Sequence, residues 1–444
     1  MKILIVNRWD DDHQSDYASR IDHERHQVSY VTVPKHVPRI PASAEHIQVV
    51  PDLADPEPVI AAAVAAHRAG GPFDKLLALS EFDLLTGATI RERLGIPGPG
   101  TEDVLVFRDK TRMKARVAEA GLRVPRFREI TSVEEAEAFR AELDGPVVVK
   151  PRTGAASVGT FVIRPQDDLA AVLRETDLGD YEIEEFVQGP VWHLDGLMAD
   201  NRMIFGRASR YMDTCYGFSQ GRPLGSVVRT GPEADALLAF AEACLRALGL
   251  DRGAFHFELI QTTTGPVFLE VGARFGGGEI PWVFQDVYGV DLIGDWIRLE
   301  LGEPPVTLPP ADRPDTEHGG FLLVPEPRGK RLVSRPSMVG TVPGLYAEEL
   351  PAAGHEFDGK GGYRFILGRF RYRAPSPTAV EQAILRTQSA YDCVLEDLDD
   401  TPHDGPRAVH DDPAAIAPEA PAVADATDAP APTPASAPAP AVVG

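Results

Sequence analysis

"AFHFELIQTTTGPVFLEVGAR" (residues 254–274) is the stretch on which the fold turns. Its halves "FHFELI" and "PVFLEV" are apolar runs that suit a half-buried pleated surface. The Thr/Gly turn between them predicts an antiparallel hairpin. Each run is broken once by a carboxylate, Glu258 and Glu270. A carboxylate in a buried run is costly to desolvate unless it is paired or bound to a metal. Two of them on neighbouring strands suit Mg²⁺, which takes hard oxygen ligands and shares them with nucleotide phosphates. Two strand-edge acids, or a salt bridge with Arg274, would fit the same pattern. Downstream, "FGGGEIP" (275–281) places Gly276, Gly277 and Gly278 in succession, bare backbone that lets a ligand or another chain segment come close.

Upstream, "VVVKPRTGAASVGTFVI" (147–163) reads as two strands joined by a turn of small residues, with Lys150 ending the first strand. Gly154, Ser157 and Gly159 let successive amides face an anion, and the lysine offers a point charge for phosphate. An ordinary hairpin with a strand-end lysine is the plainer alternative, and the order of residues is not that of a Walker A loop. "YEIEEFVQGPVWHLDGLM" (181–198) ends one apolar segment in Glu184 and Glu185, then alternates His193 and Asp195 along the next. A segment crossing between subdomains in this way could present backbone amides to a flat ring.

The remaining pattern orders these pieces. "KILIV" (2–6) and "DKLLALS" (74–80) read as buried strands, "VIAAAVAAHRAG" (59–70) and "EFDLLTGATIRERLG" (81–95) as helices, so residues 1–100 form an open α/β unit. Residues 101–121 read as one helical stretch with Thr101 as N-cap and Gly121 as stop. A compact α+β unit over 123–187 and a larger strand-rich α+β unit over 188–400 follow. From about 401 the Ala/Pro composition cannot offset chain entropy by burial, which predicts a disordered tail.

The chain has 444 residues, enough for two or three domains, and a net charge of -23. No basic surplus is available for displacing counterions from nucleic acid. No run approaches the ~20 apolar residues of a membrane span. Cys215, Cys244 and Cys393 are scattered and lack metal spacing. These features point to a cytoplasmic protein with reduced thiols and neither nucleic-acid nor membrane partners.

In their order, "FRDKTRMKARVAEAGLRVPRF" (107–127), the lysine with its small-residue loop, "IEEFVQGPVWHLDGLM" and the two-glutamate hairpin resemble the ATP-grasp superfamily across about residues 1–395. The resemblance is to the branch of L-amino acid ligases and other carboxylate–amine ligases, with biotin carboxylase as a relative. It implies an N-terminal α/β domain (1–100), a helical linker (101–122), a small lid subdomain (123–187) and a large antiparallel-sheet subdomain (188–400). By the same resemblance Lys110 and Lys150 contact ATP, Gly154 to Gly159 cover its phosphates, and Glu184, Glu185, Phe186 and Val187 form the adenine hinge. His193 lies near ribose, Glu258 and Glu270 bind Mg²⁺ (or Mn²⁺), and Arg274 holds the transferring phosphoryl group. Glu81, Asp195 and the three glycines then fall near the small-molecule acid and amine. Glu279 is a candidate to bind or deprotonate the amine, with a loop salt bridge as its plainer reading. A homodimer is compatible with this family.

The departures are informative. Val191 stands where the family often has a ribose-binding Glu, and Gly272 where it often has Asn. The segment 209–230 lacks the biotin carboxylase lysine, and Gly278 stands at its glutamate base. The expected activity is therefore ATP-dependent ligation of a carboxylate to an amine through an acyl phosphate. A formate- or bicarbonate-using enzyme and a degenerate nucleotide-binding scaffold are the alternatives.

Overall fold

A computed structural model describes residues 1–8, 17–155, 157–174, 176–310, 315–359, 363 and 366–398. The tail from about 401 lies outside the described residues. Strand β1 (Lys2–Asn7) is buried from Ile3 onward, as a strand covered on both faces must be. It is flanked in parallel by β2 (Gln27–Thr32) and β4 (Lys75–Leu77), and β3 (His46–Val49) completes the order β3-β2-β1-β4. Helix α1 (Tyr17–Arg20) precedes β2. Between β3 and β4 runs α2 (Pro56–Gly70), where the Asp55 carboxylate caps the Glu57 amide and Pro56 opens the first turn. Next comes α3 (Leu84–Leu94), closed by Gly95 at φ +66°.

Two helices, not one, fill 101–121: α4 (Thr101–Leu105) and α5 (Lys110–Glu119). The cap of α4 is Gly100 rather than Thr101. The break has a local cause. The Asp109 carboxylate accepts the Thr111 and Arg112 amides, a second N-cap that restarts the helix and sets Lys110 in its first turn.

A second sheet follows, antiparallel in the order β5-β8-β6-β7. It comprises β5 (Phe127–Glu129), β6 (Val147–Pro151), β7 (Phe161–Ile163) and β8 (Tyr181–Glu185). Helices α6 (Val133–Ala141) and α7 (Leu169–Leu173) cover it, burying Phe139, Leu169 and Leu173 against Val147, Val149 and Ile183.

The third sheet has eight strands in the order β13-β12-β9-β10-β11-β14-β18-β16. It begins with β9 (Val191–Ala199) and β10 (Arg202–Tyr211), passes through α8 (Cys215–Ser219), and continues with β11 (Leu224–Arg229). Helix α9 (Pro232–Leu248) opens on Pro232 and ends before left-handed Gly249; Leu237, Ala241, Leu245 and Leu248 form its buried stripe at helical spacing. Then come β12 (Gly253–Thr262) and β13 (Gly265–Gly272), the hairpin expected from sequence, with Glu258 directly opposite Glu270. Helices α10 (Ile280–Val283) and α11 (Leu292–Glu300) lead to β14 (His318–Val324). Strands β15 (Lys330–Ser334), β16 (Leu345–Glu349), β17 (Glu356–Phe357), β18 (Gly368–Ala374) and β19 (Val394–Asp397) follow, with α12 (Pro377–Ala390) before the last. Of these, β17-β15-β19 form a separate three-stranded sheet.

Strand β13 lies at the edge of the eight-stranded sheet, but its outer side is covered. The Phe268 amide donates to the Arg123 carbonyl at 2.9 Å, and the Val271 amide approaches Met113 Sδ at 3.2 Å. The expected combination of a parallel N-terminal sheet with a large antiparallel one is the architecture found.

Candidate active site

Period-2 alternation along β12 sends His256 and Glu258 to one face of the sheet, and the register with β13 brings Glu270 beside Glu258. These side chains open into a cavity of about 390 Å³, whose wall also includes Glu81, Arg108, Lys110, Gly154, Ser157, Arg274, Gly277 and Gly278. The volume falls within the ~300–1,000 Å³ usual for small-molecule sites. Segments as distant as 80–82, 107–113, 154–157 and 256–280 therefore converge.

Lys110 donates to the Gly154 carbonyl at 2.7 Å and lies 3.3 Å from Glu270 Oε2, so one ammonium bridges the small-residue loop and the hairpin. Burial works against the Glu270 anion, but Lys110 and Lys150 outweigh it and hold the carboxyl below its usual range. Glu258 has only longer contacts: Tyr211 Oη at 3.3 Å, His256 Nε2 at 3.5 Å and Cys215 Sγ at 3.8 Å. Glu81 sits between two guanidiniums. Arg274 Nε donates to its Oε2 at 2.6 Å, and Arg108 pairs with its Oε1. Arg108 and His256 were not singled out from sequence. His256 shares the strand face of Glu258, so alternation along β12 was its signal, whereas Arg108 lies in the turn before α5 and only its nearness to Lys110 marks it.

Behind the cavity two lysines and two glutamates are buried together. Lys114, fully enclosed, bonds Glu182 at 2.7 Å and pairs with Glu184, while Lys150 lies 2.6 Å from the other Glu184 oxygen. Burial opposes the charge on Lys150, yet Glu184 and Glu182 raise its pKa. Burial raises that of Glu182, whose Oε2 has no hydrogen-bond partner among the described residues.

Several assignments need correction. The Glu184 side chain does not face a base, because both its oxygens are engaged by lysines. Only backbone at Glu185, Phe186 and Val187 remains for a hinge, and part of that is engaged: the amides of Glu185 and Phe186 donate to the Arg126 and Pro146 carbonyls. His193 and Asp195 do not reach toward ribose or substrate. Each is buried; His193 Nδ1 donates to Asp195 Oδ2 at 2.6 Å and its Nε2 contacts Ser226 Oγ at 2.6 Å. His256 Nδ1 donates to the other Asp195 oxygen at 2.7 Å. His193, Asp195 and His256 are close enough to suggest a metal centre, but both Asp195 oxygens already accept ring N–H groups. The chain His193–Asp195–His256 is thus a hydrogen-bonded support that ends in the cavity. Burial disfavours a charged His256, but Asp195 overrides it and raises its pKa to about 9.

Glu279 is also turned away. It is buried between Arg369 at 3.0 Å and Arg371 at 2.8 Å on β18, so the salt-bridge reading holds and the amine-binding one does not. Gly276 packs against Asp195 and His256, where a Cβ would collide with both, and leaves no free space. Gly277 and Gly278 do face the cavity, Gly278 at φ +62°. Gly159 is left-handed at φ +70° and packs on Pro151 and Tyr181.

The family model for the ATP-grasp domain matches residues 115–189. The fold agrees with a solved L-amino acid ligase from Bacillus licheniformis at a TM-score of 0.69, covering 88% of this chain and 98% of that one at 17% identity. The chain has the ATP-grasp fold. Among curated relatives, the chain is 25% identical over 296 residues to an L-arginine-specific L-amino acid ligase of Bacillus subtilis, covering 64% of this chain and 71% of that one. It is 24% identical over 246 residues to an alanine–anticapsin ligase of the same organism, covering 49% of this chain and 52% of the other. No helix among the described residues is long and apolar enough to cross a membrane, and the three cysteines form no disulfide.

Proposed function

We propose that this chain joins a small carboxylate to an amine at the expense of ATP, releasing ADP and phosphate. The observation that carries this reading is the convergence on one cavity of Lys110, the Glu258–Glu270 pair and the Arg108–Glu81–Arg274 cluster. The named activities of the amino acid ligases above support it.

The reaction divides into two displacements. A substrate carboxylate oxygen attacks the γ-phosphorus of ATP, forming an acyl phosphate and expelling ADP. The amine nitrogen then attacks the acyl carbon, the C–O bond to phosphate breaks, and the nitrogen gives up a proton as the amide forms. For phosphoryl transfer the protein's part is chiefly positioning and charge stabilisation. Lys110 would meet the phosphates with the loop Gly154–Gly159, and Lys150, held by Glu184 behind the cavity, would add its charge from there. Arg274 and Arg108, held apart by Glu81, would take the substrate carboxylate and then the acyl phosphate.

Glu258 and Glu270 fit a Mg²⁺ or Mn²⁺ ion. They are cross-strand partners, all their oxygens are hard donors, and Glu258 has no contact shorter than 3.3 Å with a donor among the described residues. When bound, that ion supplies neutralisation of phosphate charge. The chain lacks a lysine at 209–230 and has Gly278 at the glutamate position, which disfavours bicarbonate chemistry. The retained lysines, glutamates and arginine disfavour an inert scaffold.

The test is ATP-dependent formation of a hydroxamate in hydroxylamine across a panel of amino acids and small acids, with ADP release followed in parallel. A hydroxamate from at least one acid is expected. Nucleotide binding without hydroxamate or ADP release from any acid–amine pair would favour the scaffold instead.

A further inference from the structure

A second cavity of about 960 Å³ lies where the N-terminal sheet, helices α3 to α5 and helix α11 meet. It is separate from the catalytic cavity, although Phe107 contributes to both walls and Ala273 lies between Gly272 and Arg274 of the first. Arg91 of α3 projects along its wall. The guanidinium is fixed by one bond, Nη2 to the Leu76 carbonyl at 3.1 Å. Its stem is covered by Gly98 (φ +146°), where a Cβ would sit 2.9 Å from Arg91 Cδ and Nε. The glycine thus makes room for the arginine.

Several other partly buried arginines have a carboxylate in contact, as with Arg8–Asp83 at 2.6 Å, Arg152–Asp109 at 2.5 Å and Arg274–Glu81 at 2.6 Å. Arg91 has none within 4.0 Å among the described residues, nor has Lys75 beside it on the same wall. A desolvated guanidinium without a counter-ion is unfavourable, and a ligand carboxylate matches its fork. Burial lowers the Arg91 pKa, with the charge of Glu300 acting the other way. Glu300 faces the cavity from α11, one oxygen accepting the Trp296 indole N–H at 3.0 Å. Five cationic and five acidic side chains line the wall. That balance gives no net field for a polyphosphate, but suits a molecule carrying one charge of each sign.

We propose that this cavity binds an amino-acid or short-peptide zwitterion, its carboxylate on Arg91 and Lys75, its ammonium toward Glu300, and its body against Trp296. The site stands on its own geometry; the expectation that the zwitterion is a substrate or product of the same enzyme rests on the ligase reading.

Equilibrium dialysis of the full chain against free amino acids and dipeptides tests the site and separates the two sources. Two classes of zwitterion site are expected in the wild type. Arg91→Gln should weaken one class about tenfold or more, the effect of losing a charge-assisted hydrogen bond. Hydroxamate formation by this variant should be unchanged. Lys75→Gln should act in the same direction on a more exposed residue. In the wild type, a bound zwitterion should protect Arg91 from phenylglyoxal, read by peptide mapping, so the outcome does not depend on a variant folding. Equal binding in all three proteins, or no protection of Arg91, overturns the proposal. Failure of hydroxamate formation with every acid would instead remove the ligase reading, leaving the dialysis and protection results interpretable.

Discussion

Lys114 illustrates how much one side chain can carry. It is fully buried, touches two carboxylates, and lies over the Phe127 ring at 5.0 Å. Lys114→Met keeps the stem but leaves Glu182 and Glu184 with one lysine between them. Breaking a buried pair from one side costs ~3–5 kcal/mol, so urea unfolding should show a loss of that order. An unmoved midpoint would mean that the two glutamates are not charged together. Glu270→Gln addresses the chemistry rather than the fold. It removes the charge opposite Glu258 with little change in size, so turnover should fall by orders of magnitude, with added Mg²⁺ restoring little. Wild-type turnover would remove Glu270 from the proposed ion site.

Among the elements, the β12–β13 hairpin was the most legible, because alternation and the Thr/Gly turn are local signals that packing reinforces. The break before α5 was written locally too, in Asp109, but a continuous helical pattern hid it. His193 and Asp195 show the opposite case: their spacing puts them on one strand face, while what that face meets depends on His256 of β12, some sixty residues later. Glu279 likewise takes its arginines from β18, beyond any sequence window. Strands β2 and β3 went unrecognised because each carries polar residues among its apolar ones. In the turn after β13, Gly278→Ala meets only Leu323 Cδ1, at 3.5 Å. Its cost is therefore backbone strain at positive φ, about 1–2 kcal/mol. Gly278→Trp adds bulk to the cavity. It should retain ADP-forming acyl activation while losing larger amines, seen as preserved hydroxamate with fewer coupled products. If Trp leaves amine choice untouched while Ala is tolerated, Gly278 does not line the acceptor space.

For the molecule as a whole, residues 1–398 form one compact unit, and charge pairs link parts far apart in sequence. Asp109 and Arg152, 2.5 Å apart, join α5 to the second sheet. Burial raises the Asp109 pKa, but hydrogen bonds from Arg152 and Thr111 more than reverse it, leaving the folded-state value depressed. A depressed carboxyl contributes stability that is present above its unfolded pKa, about 3.9. That stability disappears as pH falls through the folded-state value. Asp109→Asn should therefore destabilise the protein at pH 7 and flatten its stability profile below about pH 4. Parallel acid limbs for variant and wild type in urea titrations would count against the linkage.

The covering of β13 by the backbone of Arg123 and the sulfur of Met113 has a consequence for self-association. An edge strand with free amides invites a neighbouring copy to add a strand of its own, the route to ribbons and insoluble fibrils. With Phe268 and Val271 already engaged, that side of the eight-stranded sheet offers a newcomer little to zip onto. This edge is guarded against runaway assembly by the same segment that carries Lys110 and Lys114.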